Sequence, residues 1–134
     1  GQADVEEIDR LNILNATFLA MERACINLQE KMGGNIQTIL VDGNRKPIFK
    51  VMSEQINRIP IINGDNISLS IAAASIIAKQ IRDSYMCNLH SRHPEYGFNR
   101  HKGYGTKFHR LALAEFGPTP HHRSSFAPIR ALKS

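Results

Sequence analysis

The feature that most limits the fold of this chain is a change of hydrophobic period between long and short segments. Apolar residues recur at helical spacing from Val5 to Lys31 and again from Ser68 to Ser91. The run IQTILV at 36–41 and the run IPII at 59–62 are β-branched and too short for helices. Helices that alternate with short apolar strands are typical of layered proteins that contain both elements. The sequence therefore predicts an α/β fold.

Capping and turn residues set the bounds of these elements. Asp4 is a suitable N-cap for the first helix, which Gly33 ends, and Thr106 is a suitable N-cap for a third helix that stops before Gly117. Along the chain we predict a helix at 4–32, strands at 36–41 and 59–62, a helix at 68–91, a loop at 92–105, a helix at 106–116 and a basic tail at 117–134, all in a single domain. Two short strands do not complete a sheet, so we expect a preceding stretch of chain or another copy to supply more.

The basic residues are concentrated near the C-terminus. The sequence has 17 Lys and Arg against 12 Asp and Glu, but residues 92–134 contain only Glu95 and Glu115 as acids. Five of the six histidines and several aromatic residues lie between the cations of this region. Such a composition indicates a surface that follows phosphates. A solvated basic surface without any ligand would give the same pattern.

Composition and spacing exclude several functional classes. No apolar run approaches the ~20 residues that cross a bilayer, so the sequence predicts no membrane partner. The histidines lack the spacing of a structural zinc site, and there is no Ser/His/Asp nucleophile motif. Cys25 and Cys87 have no CxxC spacing, which favours free thiols in a reducing compartment and predicts a cytoplasmic location.

Two acids occupy positions where carboxylates can hold a metal ion. Asp42 follows the strand at 36–41, where α/β sheets present ligand groups, and Asp83 continues an otherwise apolar stripe of its helix. Two facing carboxylates would suit Mg²⁺ or Mn²⁺, which take oxygen ligands. Each acid also has an ordinary explanation: Asp42 as a turn residue before Gly43, and Asp83 as a solvated ion pair with Lys79.

Five motifs occur in collinear order over nearly the whole chain. They are VEEIDRLNIL at 5–14, LVDGNRKP at 40–47, NGDNISLSIAAASIIAKQIRD at 63–83, EYGFNRHKGYGTKFH at 95–109 and HHRSSF at 121–126. Together they resemble ribonuclease HII, the bacterial type 2 ribonuclease H. The resemblance implies a ribonuclease H-like fold and an endonuclease that hydrolyses the RNA strand of RNA/DNA hybrids and cuts at ribonucleotides embedded in duplex DNA. It also implies two-metal-ion catalysis with Mg²⁺ or Mn²⁺.

The resemblance assigns the catalytic, metal-binding acids of the third and fourth family positions to Asp42 and Asp83. The family's first two acids belong to an Asp-Glu-x-Gly-Arg-Gly segment, which does not occur in this sequence. We therefore expect a truncated ribonuclease H-like fold that lacks its N-terminal strands, and little cleavage by this chain alone. The alternative is a non-catalytic fragment that binds nucleic-acid duplexes or packs with a partner fragment. We also expect self-association through an exposed sheet edge.

The resemblance also implies a set of substrate-binding residues. Tyr104 matches the tyrosine that contacts the sugar at the RNA/DNA junction, with His101 and Lys102 as its basic neighbours. An aromatic contact with the sugar is one way to detect the 2′-OH group of RNA. Arg123 suits a phosphate contact. From the residues alone, Tyr104 between two glycines can simply cap a loop, and Arg123 can be structural.

Overall fold

The computed structural model describes residues 1–130 as a mixed α/β chain that divides into two compact units. Unit 1 covers residues 1–74, and unit 2 begins at Ser75. The strands are β1 (Thr38–Asp42) and β2 (Asn57–Ile61), and the helices are α1 (Val5–Leu11), α2 (Ile13–Met32), α3 (Gly64–Ile67), α4 (Leu69–Arg92), α5 (Phe98–His101), α6 (Lys107–Phe116) and α7 (Ala127–Arg130). A 3₁₀ turn at Pro94–Tyr96 precedes α5. No helix within the described range is long and apolar enough to cross a membrane.

The helix predicted at 4–32 is in fact two helices, because the chain breaks at Asn12. Asn12 has φ 67° and ψ 165°, a strained conformation for a residue other than glycine, and its side chain caps α2 by accepting a hydrogen bond from the Asn15 N–H. The apolar spacing continues across the break, so periodicity could not show it. The N-cap predicted at Asp4 is confirmed: its carboxylate accepts from the Glu7 N–H at 2.7 Å, and Glu7 completes a capping box.

A bidentate ion pair holds α1 against α2. The Arg23 guanidinium donates to both Glu7 carboxylate oxygens, at 2.6 and 2.8 Å. Hydrogen bonds from Arg23 and from the Asp4 backbone lower the pKa of Glu7 to about 2. The paired geometry fixes the angle at which α1 meets α2.

The sheet of unit 1 is a parallel pair in which β1 lies beside β2. Thr38 pairs with Asn57 at one end and Asp42 with Ile61 at the other. Both strands are shifted by one or two residues from the predicted ranges, and Asp42 is the last residue of β1 rather than the first residue after it. Val41 is buried, whereas Leu40 remains 40% exposed. The sheet therefore presents much of its apolar surface to solvent.

A buried acid anchors the connection between the two strands. Residues 43–56 return the chain from β1 to β2, and their apolar side chains pack with α2 around Phe49 and Met52. Glu22 on α2 is 2% exposed, and its Oε1 accepts hydrogen bonds from the Val51 and Met52 N–H groups at 2.6 and 2.9 Å. Burial acts to raise the pKa of Glu22, but the backbone donors outweigh it and lower the pKa.

Unit 2 surrounds an aromatic core. The core contains Met86, Leu89, Tyr96, Phe98, Ala112, Leu113 and Ile129, with Phe126 packed against it. Tyr96 donates its hydroxyl hydrogen bond to the Gly117 carbonyl at 2.6 Å. The segment predicted as a loop at 92–105 contains the 3₁₀ turn and α5, because Pro94 opens that turn and Gly97 ends it with a positive φ.

The segment predicted as a basic tail at 117–134 is partly structured. It carries α7 in its described part, and Ile129 is buried in the core of unit 2. Apolar burial of this side chain, which charge composition does not reveal, holds the segment in place. Residues 131–134 of the predicted tail lie outside the described residues. Cys25 and Cys87 are both free thiols, as predicted.

Candidate functional site

Asp42 is placed by the end of β1 and by the turn that follows β2. Its Oδ1 accepts a hydrogen bond from the Gly64 N–H at 2.8 Å, while the residue stays exposed to solvent. The backbone of Gly64 approaches its neighbours closely, since an added Cβ would lie 2.7 Å from Ile71 Cδ1 and 3.3 Å from Asp42 Oδ1. The preceding Asn63 has left-handed backbone angles, which turns the Gly64 N–H toward the strand end.

The Asp42 side chain and the turn after β1 make separate hydrogen bonds. Gly43 makes the turn after β1, with φ 100° and an N–H bond to the Ile61 carbonyl at 2.9 Å. The Asp42 carboxylate bonds instead to Gly64, a residue 22 positions away. Asp42 is therefore an exposed acid held at the carboxyl end of a parallel strand, where α/β proteins present ligand groups.

Asp83 lies on α4 in unit 2 and makes an ion pair. Its Oδ2 is 3.5 Å from Lys79 Nζ, one turn earlier on the same helix, and the Asp83 side chain is 28% exposed. Such exposed pairs contribute only a few tenths of a kcal/mol, so ligand exchange at Asp83 costs little. Asp42 belongs to unit 1 and Asp83 to unit 2.

The donor chemistry of both acids fits a divalent cation. Carboxylate oxygens are the ligands that Mg²⁺ and Mn²⁺ prefer. Asp42 accepts a hydrogen bond at Oδ1, and Asp83 makes a long contact to the amine of the exposed Lys79, so neither acid is enclosed by these partners. Residues 1–130 contain no group of three or more His, Cys, Asp or Glu side chains arranged to hold a metal ion.

The loop that carries Tyr104 follows α5 and contacts α4. Arg82 donates from Nη2 to the Lys102 carbonyl at 3.1 Å, and Lys102 Nζ is 3.1 Å from Cys87 Sγ. Gly103 has φ 85°, and an added Cβ would lie 3.1 Å from the Met86 side chain. The Tyr104 ring is 73% exposed. Lys102 and Tyr104 thus lie on one loop that contacts with α4 hold in place.

His101 occupies a structural position rather than the predicted contact with substrate. It is buried, its Nε2 is 2.6 Å from the Tyr96 carbonyl, and its Nδ1 accepts from the Gly103 N–H at 3.2 Å. Because a carbonyl only accepts, Nε2 carries the hydrogen. Both ring nitrogens are therefore occupied inside the protein, and His101 holds the loop on which Tyr104 stands.

Two histidines that sequence reasoning did not select lie beneath this loop. His109 Nδ1 is 3.0 Å from the Tyr104 carbonyl, and His109 Nε2 is 3.2 Å from His122 Nε2. Burial lowers the pKa of both histidines, that of His122 to about 4. The only sequence signal for His109 is its place five residues after Tyr104 in the same motif.

Arg123 lies in the turn before α7, where it is half-buried against Phe126. Its guanidinium is 5.1 Å from the centre of the Phe126 ring, and its carbonyl accepts from the Phe126 N–H. The cation–π contact positions the side chain without consuming its five N–H donors. The structural explanation of Arg123 is thus compatible with a phosphate contact.

Fold and site together define a parallel α/β protein with an exposed acid at a strand end and a separate cationic loop bearing an exposed tyrosine. The family model described as Ribonuclease HII matches residues 2–129. Similar curated proteins include the ribonuclease HII of Paramagnetospirillum magneticum, 52% identical over 96% of this chain and 60% of that protein. The ribonuclease HII of Ehrlichia canis is 53% identical over 98% of this chain and 59% of its own length.

The ribonuclease HII of Wolbachia pipientis wMel is 51% identical over 98% of this chain and 63% of its own length. This chain therefore belongs to the ribonuclease HII family, which confirms the resemblance seen in the motifs. The chain spans about 60% of the length of these curated relatives.

Proposed function

We propose that the whole protein is an endonuclease of the ribonuclease H class with a ribonuclease H-like fold. Its substrates are RNA/DNA hybrids, in which it hydrolyses the RNA strand, and duplex DNA that contains single ribonucleotides. The family match over residues 2–129 carries this proposal. The two free thiols fit a reducing compartment, and we place the protein in the cytoplasm.

Asp42 and Asp83 are proposed as catalytic metal ligands for Mg²⁺ or Mn²⁺. The bound ions would activate the attacking water and stabilise the leaving oxygen of the phosphodiester. Asp42 offers its carboxylate from a rigid strand end, and the Gly64 N–H fixes the orientation of that carboxylate. Asp83 would give up its weak ion pair with Lys79 to bind the metal ion.

Substrate contacts are proposed for the loop and turn of unit 2. The exposed Tyr104 ring faces the sugar at the RNA/DNA junction, and Lys102 and Arg123 contact phosphates. Support comes from the anchoring of this loop by Arg82 and from the cation–π contact that orients Arg123. His101 acts from below, as a support of the loop.

The test compares cleavage of three duplexes of one sequence by the whole protein: an RNA/DNA hybrid, DNA with a lone ribonucleotide, and plain DNA. Cleavage of the first two that requires Mg²⁺ or Mn²⁺ and stops with a chelator is the expected result. Equal cleavage of plain DNA, or cleavage without a divalent ion, would contradict the proposal. The 134-residue chain alone should cleave little, because the sequence lacks the Asp-Glu-x-Gly-Arg-Gly segment.

Self-association is proposed for the sheet of unit 1. Leu40 and Ile59 are 40% and 38% exposed on its two strands, and exposed apolar strands readily pair with other chains. Sedimentation of the 134-residue chain should therefore show dimers or larger species at micromolar concentration. A single monomeric species over that range would contradict this.

A further inference from the structure

The hydrogen positions in the histidine pair below Tyr104 can be derived from geometry. His122 Nδ1 is 3.0 Å from the Thr119 backbone nitrogen and 2.9 Å from Thr119 Oγ1. The backbone N–H can only donate, and the hydroxyl can donate as well. His122 Nδ1 is therefore an acceptor without a hydrogen. A neutral His122 must then carry its hydrogen on Nε2.

The same logic continues through the second ring. His122 Nε2 is 3.2 Å from His109 Nε2, so His109 Nε2 must accept the hydrogen bond. Its other nitrogen, Nδ1, then carries the hydrogen and donates to the Tyr104 carbonyl at 3.0 Å. The result is one directional relay from Thr119 through His122 and His109 to Tyr104, in which each donor has an acceptor.

The relay ends on a residue that needs external support. Tyr104 lies between Gly103 and Gly105, and glycines restrict the backbone less than any other residue. Its N–H donates to the His101 carbonyl at 2.8 Å, and its carbonyl accepts from the Thr106 N–H at 2.9 Å. The His109 Nδ1–H fills the second lone pair of that carbonyl. Hydrogen bonds thereby hold the two peptide groups on either side of the Tyr104 Cα, which carries the exposed ring.

We propose that His109 and His122 are positioning residues that fix Tyr104 for its contact with the substrate sugar. This inference rests on the role proposed above for Tyr104. Both ring centres lie 5.5 Å from that of Phe98, and His109 is buried whereas His122 is half-buried. They act only through the Tyr104 carbonyl.

The environment keeps both rings neutral, which the relay requires. Burial lowers the pKa of each, and the positive charge that other histidines would carry lowers it further. His101 stacks on His109 with ring centres 4.3 Å apart, His93 and His121 act on His122, and the Tyr96 ring lies 5.1 Å from that of His122. A protonated His109 or His122 would place two N–H groups opposite each other and break the relay.

The test uses three variants of the whole protein. His109→Ala removes the donor to Tyr104, whereas His109→Asn retains an amide N–H at about the position of Nδ1. His93→Asn is the matched control, because its ring contacts Tyr96 in the same cluster but lies outside the relay. For each variant we measure kcat and KM at a lone ribonucleotide, and the Kd for plain duplex DNA.

We expect His109→Ala to lower kcat on the order of 10- to 100-fold, as for displacement of a reacting group by ~1 Å, with little change in Kd for plain DNA. His109→Asn should recover most of that loss, and His93→Asn should match the parent. Parental kcat in His109→Ala, or equal losses in His109→Ala and His109→Asn, would overturn the proposal.

A spectroscopic measurement keeps the inference testable if His109→Ala does not fold. Imidazole nitrogen shifts of the unsubstituted whole protein at pH 8 should show the Nε2–H form of His122 and the Nδ1–H form of His109. The opposite forms would overturn the relay. Tyr104→Ala separates the two proposals. If Tyr104→Ala cleaves like the parent, the role proposed for Tyr104 is wrong. If Tyr104→Ala is defective while His109→Ala cleaves normally, only the relay is wrong.

Discussion

The two units of this chain hold their loops with different chemical groups. In unit 1, carboxylates accept hydrogen bonds from backbone N–H groups: Glu22 accepts from Val51 and Met52, and Asp42 accepts from Gly64. In unit 2, imidazoles hydrogen-bond to the backbone instead, as His109 does to the Tyr104 carbonyl. A carboxylate only accepts, but a neutral imidazole accepts at one nitrogen and donates at the other. Histidines in unit 2 can therefore form a chain of hydrogen bonds, whereas each acid of unit 1 accepts hydrogen bonds and passes none on.

The difference also predicts how each unit responds to acid. The folded pKa of His122 lies below that of an unfolded histidine, so its stabilising effect is complete above pH 6.5 and is lost as the pH falls toward 4. The folded pKa of Glu22 is lowered from 4.5, so its contribution is lost only below that value. Unit 2 should weaken first as the pH falls.

The largest expected effect on stability comes from Glu22→Leu. It leaves two backbone N–H groups without an acceptor, one of them buried, and each costs about 1 to 3 kcal/mol. Urea unfolding at pH 7 should show a loss of about 2 to 4 kcal/mol. Glu22→Gln keeps an acceptor oxygen and should lose clearly less. Equal losses for both variants would mean that charge, not the hydrogen bonds, stabilises this unit.

Acid should produce the next largest effect, and it should appear in unit 2. Lowering the pH from 7.5 to 5 should reduce stability by about 2 kcal/mol through His122, because the unfolded chain takes up a proton that the folded chain refuses. His122→Gln removes this titration, so its unfolding free energy should change less over the same range. An unaltered pH dependence in that variant would contradict the assignment to His122.

A smaller effect is expected for Gly64→Ala in unit 1. The new methyl group would meet Ile71 Cδ1 at 2.7 Å, and because Cδ1 is the free end of the side chain, relief of this crowding should cost only about 1 kcal/mol. Gly34→Ala is the control, since a Cβ there meets nothing within 4 Å. Thermal unfolding that ranks the two variants equally would show that the turn at Gly64 yields easily, and that Asp42 is held less firmly than described.

The smallest effect is expected for Lys79→Ala on α4. The Lys79–Asp83 pair is exposed, so its loss should change stability by less than about 0.5 kcal/mol. Chemical denaturation of this variant beside the parent measures the difference. A loss above about 1 kcal/mol would mean that Asp83 depends on Lys79 and is not available for exchange.

Local rules predicted the element ends but not the links between elements. Asp4 and Thr106 are N-caps, and Gly33 ends α2 with a left-handed conformation, as their residue types indicated. The break at Asn12 was missed because the apolar period continues across it. Helix periodicity reports which face is apolar and carries no information about one residue with a positive φ.

The candidate site shows the same limit. Asp42 was predicted at the strand end from the strand pattern alone, but its bond to Gly64 joins residues 22 positions apart and has no sequence signature. His101 was predicted to face substrate because it is a basic neighbour of Tyr104 in the family motif, and the structure turns it inward onto Tyr96. The sequence alone does not show whether a titratable side chain contacts solvent or the protein backbone.

The most direct test of this account measures cleavage by the whole protein with Asp42→Asn and with Asp83→Asn, with Glu30→Gln on α2 as an exposed-acid control. Each amide keeps the shape of the side chain and removes the charge that binds metal. At limiting Mg²⁺, Asp42→Asn and Asp83→Asn should lose cleavage at a lone ribonucleotide while their duplex affinity is retained, and Glu30→Gln should behave as the parent. Parental cleavage by either Asp42→Asn or Asp83→Asn would contradict the assignment of that acid as a metal ligand.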